Sequence, residues 1–490
     1  MKKTFLVMYI FFCLLSIALI PINLFLWNMP EWIMLLFGCG IIFLTILLLR
    51  LKGRKILKIF VVLFTVLVVA VSLFGSYCNP YWNSLIFKSN VDYHSESFDE
   101  RLSSKEALKD LDYAVKYLKK LHPFFIKGMP QDIKEQYEDI RENIKKSDGI
   151  TVGELNQDIE TIFSMIGDGH TYVLGNYSDN RYLKNNVEWE KNHCRLIAVN
   201  EKTVQELLEE KAELYSFDAP SWERELMTFD LISIYGLRYL GFSVSDGMEY
   251  TYETEDGKRE IIVCSDEDFV SSEEYQALSS SEEDDTKDFV RYELNEDKSL
   301  AVLTLNECIY NDEYTDCIKE MFTKIKQKGI QNVAVDLRNN GGGDDSVAFE
   351  FIKYLDTDSY NCMTYRQRLG IFRTPVSDAF TENERYESLT YDGQLYILTS
   401  ANTFSSAMAF AQYIKDNQLG VLIGEAPGND PNGYGEVSAF QLPDSNLFMQ
   451  ISTKQFYRAD RSCEDIYVLP DVSCDSDEVF EKLENMLNNE

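Results

Sequence analysis

The stretch Asn332-Val-Ala-Val-Asp-Leu-Arg-Asn-Asn-Gly-Gly-Gly343 decides how this chain is read. Residues Asn332–Leu337 are mostly apolar, as in a buried strand, and Arg338–Gly343 ends on three consecutive glycines. Glycine lets the backbone turn sharply or approach another group closely. Ala348, Phe351, Ile352 and Leu355 then fall on one face of a helix. The same alternation extends on both sides. Leu300–Leu305 reads as a strand, and Asp312–Gln327 as a helix with Cys317, Met321 and Ile325 inward. Gln394–Thr399 reads as a strand, about Ser405 to Lys415 as a helix, and Val421–Gly424 as a short strand. A β-α-β-α-β succession predicts an α/β domain with a mostly parallel sheet covered by helices. Functional loops should gather at the carboxyl ends of its strands.

Two of those loops have chemical potential. In Thr399-Ser-Ala-Asn-Thr-Phe-Ser-Ser-Ala407 an apolar strand runs through small polar residues into a helix. A serine there lies at the sheet edge, beside helix-terminal amides that stabilise negative charge. An ordinary helix cap explains the same residues. The glycine triple offers free amides of the kind that hold an oxyanion, or is only a strand-to-helix turn. No Gly-Lys-Ser/Thr follows it, which argues against a phosphate loop.

Upstream, Ser103-x-x-Glu106 and Thr151-x-x-Glu154 are capping boxes that open helices. Leu108, Leu111, Val115 and Leu118 make the apolar stripe of the first, and Leu155, Ile159, Ile162, Phe163 and Ile166 that of the other. A helix over Gln131–Lys146 lies between them. Gly167 ends the last helix, so Asp168-Gly169-His170-Thr171 falls on a loop. Four histidines are present: His94, His122, His170 and His193. His170 stands out by its place between Gly169 and Thr171, and histidine suits general-base work near neutral pH.

Residues 187–300 are mixed, with strands expected at Leu196–Val199 and Arg259–Val263, a helix at Val204–Leu214 and an exposed loop over the Ser-, Asp- and Glu-rich 265–288. Three apolar runs fill the start: Thr4–Trp27, Trp32–Leu49 and Leu57–Tyr77. Each is about the ~20 residues a helix needs to cross a bilayer, which predicts three transmembrane helices. Lys2 and Lys3, then Arg50, Lys52, Arg54, Lys55 and Lys58, set a cytoplasmic N-terminus and second loop. The rest of this multi-pass cell-membrane protein then lies outside the cytoplasm. The parts are a membrane anchor (1–77), a linker (78–102), a helical part with the histidine block (103–186), a divergent module (187–298) and the α/β domain (299–490).

Acidic residues outnumber basic ones 80 to 47, for a net charge of −33. Residues 1–76 carry seven Lys or Arg and one Glu, so the balance of +6 there leaves −39 on the remainder. That surface repels phosphate backbones and excludes a nucleic-acid role. Eight of the ten cysteines lie beyond the apolar runs and permit disulfides without assigning them. No Cys-x-x-Cys pair or Cys/His cluster predicts a zinc site.

Three segments together resemble the signature blocks of the serine peptidase family that holds the tricorn core and C-terminal processing (tail-specific) proteases. They are Gly167-Asp-Gly-His-Thr-Tyr-Val173, Val335–Gly343, and Thr399–Ala411 followed by Ile423-Gly-Glu425, and they occur in the family's order. The resemblance covers roughly 103–475. It implies a crotonase-like ββα catalytic core, a protein or peptide substrate and no cofactor. The family pattern Thr-x-Ser-Ala-small-Glu puts the nucleophile at Ser405, with Met408 where the Glu usually stands. Asp430 takes the place of the processing proteases' lysine, so the resemblance points to the tricorn-like branch, with a histidine and a late glutamate. His170 matches the first, and Glu464, ahead of Pro470-Asp471, the second. The backbone amides of Ser406 and Gly342 would hold the oxyanion. Residues 187–265 resemble a reduced PDZ-type module without its carboxylate loop. The expected function is a membrane-anchored extracytoplasmic serine peptidase. The alternative is a catalytically silent relative that binds or senses.

Overall fold

The computed structural model describes residues 2–25, 31–86, 88, 91–178, 180–191, 194–254, 256–279, 288–376 and 379–489. Trp27, residues 28–30 of the first interhelical turn, His193 and residues 280–287 of the acidic stretch lie outside them.

A mixed sheet forms the centre of the domain. Its strands run in the order Val290–Asn295, Leu300–Leu305, Asn332–Asp336, Gln394–Thr399, Val421–Gly424 and Val472–Ser473. The first pair is antiparallel and the rest are parallel. Val333, Val335, Ile397 and Leu422 point into one core with Phe322, Phe351 and Phe410, and Ala334, Tyr396, Leu398 and Ile423 into a smaller one under Val479 and Leu483. Strands buried on both faces explain the continuous apolar runs. Met408 lies in the larger core, 2% exposed. A carboxylate there would bring a charge into this core, where Gln412 Nε2 donates to Met408 Sδ (3.8 Å).

Helices Ser104–Leu121, Gln131–Lys146 and Val152–Ser164 share a second core. Both expected capping boxes form, at Ser103 and at Thr151. After the third helix the short strand Tyr172–Leu174 pairs with Phe448–Tyr457, in register Tyr172 to Gln450. Phe448–Tyr457 also pairs with Tyr434–Gln441 and Thr364–Leu369. The loop carrying His170 is thereby stitched to a sheet of the other half of the chain.

Residues 195–264 form a four-stranded antiparallel sheet, Lys202–Thr203, Arg195–Val199, Met248–Glu253, Arg259–Cys264, with helix Val204–Lys211 packed on it. The expected loop at 265–288 instead contains strand Phe269–Ser271, paired with Arg181–Leu183, and helix Ser272–Ser279. Burial of Phe269 and Leu183 in the module core outweighs the polar composition. The stretch after residue 78 is docked rather than loose. Leu85 N–H donates to the Ala439 carbonyl (2.8 Å), and Ser438 Oγ to the Pro80 carbonyl (2.9 Å).

At the start stand helices Lys2–Phe25, Glu31–Arg50 and Lys55–Cys78. Among the described residues two segments, Lys3–Ile22 and Lys55–Cys78, are long and apolar enough to cross a membrane, and the apolar Leu35–Arg50 is shorter. Among the described residues Cys13, Cys39, Cys78, Cys264, Cys308, Cys317, Cys362, Cys463 and Cys474 carry free thiols.

Candidate active site

The carboxyl ends of Asn332–Asp336 and Gln394–Thr399 meet at one corner. Leu337 N–H donates to the Leu398 carbonyl, prolonging the ladder by 3.0 Å contact. Beyond it the polar residues fasten the two loops together. Thr403 Oγ1 donates to the Leu337 carbonyl (2.8 Å), Ser400 Oγ to the Arg338 carbonyl (2.5 Å) and Phe404 N–H to the Asn340 carbonyl (3.0 Å). Asn429 Oδ1 accepts from Ser405 N–H (2.8 Å). These bonds hold Ser405 at φ 54°, ψ −122°, a left-handed conformation that a side chain adopts at a cost of ~1–3 kcal/mol. Ser405 immediately precedes helix Ser406–Asp416, yet its side chain makes no capping bond. The plain helix-cap reading therefore fails. Ser406 differs: its Oγ donates to the Gly343 carbonyl (2.8 Å) and is spent on structure.

Gly342, at φ +106°, lies flat against the serine. A Cβ there would stand 2.6 Å from Ser405 Cβ and 3.0 Å from Ser406 N, which admits only glycine. Its N–H donates to Asn340 Oδ1 (2.9 Å), while Asn340 Nδ2 donates to the Leu305 carbonyl (2.9 Å). The Gly342 amide is thus engaged within its own loop.

His170 is 9% exposed. Its N–H donates to Asp168 Oδ1 (3.0 Å), its carbonyl accepts from Gln450 Nε2 (3.1 Å), and its ring lies on Phe404, centroids 4.6 Å apart. Phe404 directly precedes Ser405, so the two candidate residues share one aromatic platform. Neither ring nitrogen of His170 has a hydrogen-bond partner, so no bond joins it to the Ser405 hydroxyl. Nδ1 stands 3.7 Å from Asp168 Oδ1, close for charge and long for a hydrogen bond.

Two carboxylates that the sequence reading did not single out face this histidine. Asp168 is buried, and its Oδ2 lies 2.9 Å from His122 Nε2. His122 Nδ1 accepts from Phe124 N–H (3.2 Å), which makes its Nε2 the protonated nitrogen and the donor to Asp168. Burial alone would raise the Asp168 carboxyl, but His122 and His170 together hold it well below the usual carboxylate range. Asp218 arrives from the divergent module. Its Oδ2 accepts from Asp430 N–H (3.1 Å), and its Oδ1 is buried without a partner against Gly169, where a Cβ would be 3.2 Å away. Burial pushes Asp218 up to about 7, with the His170 charge pulling it down. Glu464 is exposed on the loop after Phe448–Tyr457 and is not one of these two. That loop is anchored by buried Arg458, which donates to the carbonyls of Asp465 and Tyr467 (3.1 Å each) and pairs with Asp416. No motif marked His122 or Asp218. The signal for Asp168 was its place inside the Asp-Gly-His block.

Among the described residues no group of His, Cys, Asp or Glu could hold a metal ion. What this corner offers is one hydroxyl at the positive end of a helix that it does not cap, and, stacked on the preceding Phe404, a histidine with an anion at its back. That equipment belongs to hydrolases that work through a serine nucleophile. Comparison with known proteins narrows the class. Residues 299–474 match the model of peptidase family S41, so the chain carries an S41 domain and is a serine-type peptidase. Mature CPAF complexed with lactacystin is similar, at 11% identity and a TM-score of 0.56, over 79% of this chain and 99% of that one. A CPAF point mutant gives 12%, 0.58, 79% and 96%. The photosystem II D1 C-terminal processing protease gives 13%, 0.45, 78% and 96%. At such identities the likeness to CPAF is one of fold. No curated protein sequence matches the chain.

Proposed function

We propose that the chain is a membrane-anchored peptidase that cleaves proteins or peptides through an acyl-enzyme on Ser405, with His170 as base. Ser405 Oγ attacks the scissile carbonyl and His170 takes its proton. The tetrahedral oxyanion collapses, the C–N bond breaks, and His170 returns the proton to the leaving amine. Water repeats the sequence to release the acyl group. The observation that carries this reading is the strained, uncapped Ser405 beside Gly342 and Phe404. The Ser406 amide at the helix end is the first oxyanion donor. The Gly342 amide is the second, shared with Asn340 Oδ1. Catalytic hydrogen bonds commonly tighten only with substrate bound, and His170 must reach Ser405 at that stage. Asp168 stabilises the imidazolium from behind, and Glu464 remains the outer acid implied by the family pattern. The ββα arrangement of the central sheet fits a crotonase-like core. The N-terminal helices serve as three spans that place the domain outside the cytoplasm.

A silent relative is the second reading, favoured by the unpartnered imidazole and the occupied Gly342 amide. A serine-directed fluorophosphonate applied to the full chain decides between them. Labelling that disappears in Ser405→Ala supports the peptidase. No labelling of the wild type, or labelling unchanged in the variant, overturns it.

A further inference from the structure

A cavity of about 890 Å³ lies between the histidine block and the divergent module. Its size is that of a site for a drug-sized molecule or a long side chain, ~300–1,000 Å³. Seven tyrosines recur along its walls. Tyr177 lies on Tyr235 with centroids 4.6 Å apart, Tyr235 is 5.7 Å from Tyr239, and Tyr182 is 5.7 Å from Phe229 at the mouth. Gly175 lets the Tyr177 ring fold back on the strand: a Cβ there would stand 2.0 Å from the ring. At one end the cavity reaches Gly169, next to His170, and Trp222. Trp222 lies on Phe404 at 4.7 Å, and Phe404 lies on His170. The chamber therefore abuts the candidate active site through one aromatic layer.

Its acidic groups are one-sided. The carboxyls of Glu160, Asp230 and Glu273 line it, and the described lining residues include no Lys or Arg. The sole lining histidine, His94, is at an exposed position and pairs with Asp92 (2.9 Å). Glu160 Oε2 accepts from Val173 N–H (2.7 Å), and Asp230 Oδ2 from Tyr215 Oη–H (2.7 Å), so both carboxyls are fixed in direction. An apolar ligand would leave these groups buried beside hydrocarbon. A metal ion would find no cluster of three ligating side chains among the described residues. Aromatic faces and carboxylates together select a cation with an organic body, by attraction to the ring faces and to the carboxylates.

We propose that this chamber binds an organic cation, an alkylammonium or guanidinium group on an apolar stem, supplied by a substrate's Lys or Arg side chain or by a free amine. The link to cleavage rests on the peptidase reading above, while the binding itself does not. Burial pushes the Glu160 carboxyl up to about 8 and Asp230 up to about 7. A bound cation would favour the ionised form that burial disfavours in both.

The test uses the full chain carrying Ser405→Ala, so that catalysis plays no part. Benzyltrimethylammonium and its uncharged carbon isostere neopentylbenzene are titrated by calorimetry. The cation should bind at least tenfold more tightly than the isostere. Glu160→Gln and Asp230→Asn should each weaken the cation at least fivefold and leave the isostere unchanged. Phe229→Ala, at the exposed mouth, gives a third reading should either buried substitution impair folding, and should weaken the cation at least twofold. Equal binding of both probes, or binding of neither, overturns the proposal. Displacement by a Lys-containing peptide and not by its norleucine counterpart assigns the site to substrate. Displacement by free alkylamines alone assigns it to a small ligand. Fluorophosphonate labelling that fails while the cation binds sinks the peptidase reading and leaves this one standing. The reverse result does the opposite.

Discussion

The two sides of the candidate site are built in opposite ways. The nucleophile side is local: Leu337–Gly343 and Ser400–Ser406 are short segments at the ends of adjacent strands, and hydroxyls of the second donate to backbone carbonyls of the first across the corner. The base side is collected from afar. His122, the Asp168–His170 block, Asp218 and Asp430 come from separate parts of the chain, and the His170 ring nitrogens and Asp218 Oδ1 are left without partners. One side is a satisfied network that fixes strain. The other is an under-satisfied cluster whose electrostatics are held ready. Buried polar groups rarely go unpaired without a reason in function.

The sharpest way to break this contrast is at the local side. Ser405→Ala should lower peptide cleavage by roughly 10⁴–10⁶ with an unchanged melting temperature, since its hydroxyl caps nothing; a large fall in melting temperature would contradict the geometry. Gly342→Ala should follow. Its new Cβ collides with Ser405 and displaces the amide, so cleavage should drop about 10²–10³-fold, read as kcat at saturating peptide; retention of wild-type kcat would show that Gly342 is not tightly apposed. On the distributed side, Asp168→Asn should cost about 10²-fold or more in kcat, because the imidazolium loses its anion.

Asp168 also makes a pH prediction. Its folded carboxyl lies below the ordinary value of 3.8, so it stabilises the fold above that value and the contribution is lost as pH falls below it. Acid unfolding monitored by circular dichroism should be shallower in Asp168→Asn. Glu160 has the opposite sign: at about 8 against an ordinary 4.5, burial makes it a growing liability as pH rises through that window. Glu160→Gln should gain melting temperature relative to wild type at pH 9 and little at pH 5. Smallest of all, Ser406→Ala removes one hydrogen bond to Gly343, worth about 0.5–1.5 kcal/mol. Fluorophosphonate labelling should persist in it, and its loss would exchange the roles of the two serines.

The contrast also explains what could be read from sequence. Val333, Val335, Ile397 and Leu422 announce buried parallel strands because burial on both faces leaves an unbroken apolar run. Ser103 and Thr151 announce helix starts because capping is a three-residue affair. The corner where Ser405 meets Gly342 was legible for the same reason, as it is built from a few contiguous residues. His122 and Asp218 were not, because each gains its meaning from a distant partner, His122 from Asp168 46 residues away and Asp218 from Asp430 212 residues away, and only the tertiary fold brings these together. The acidic stretch misled at Phe269, where one buried ring outweighed its polar neighbours. The role of Gly342 was only partly legible, since Asn340 claims its amide.

The strand Tyr172–Leu174 has one more consequence. It donates itself to the edge of Phe448–Tyr457, carrying His170 to a domain that begins at residue 299 by family match. Under the proposed mechanism, a gene fragment encoding the matched domain alone would inherit a nucleophile and no base. The heritable unit of activity is therefore larger than the recognisable domain, and a split chain should regain cleavage only when the upstream piece supplies that strand.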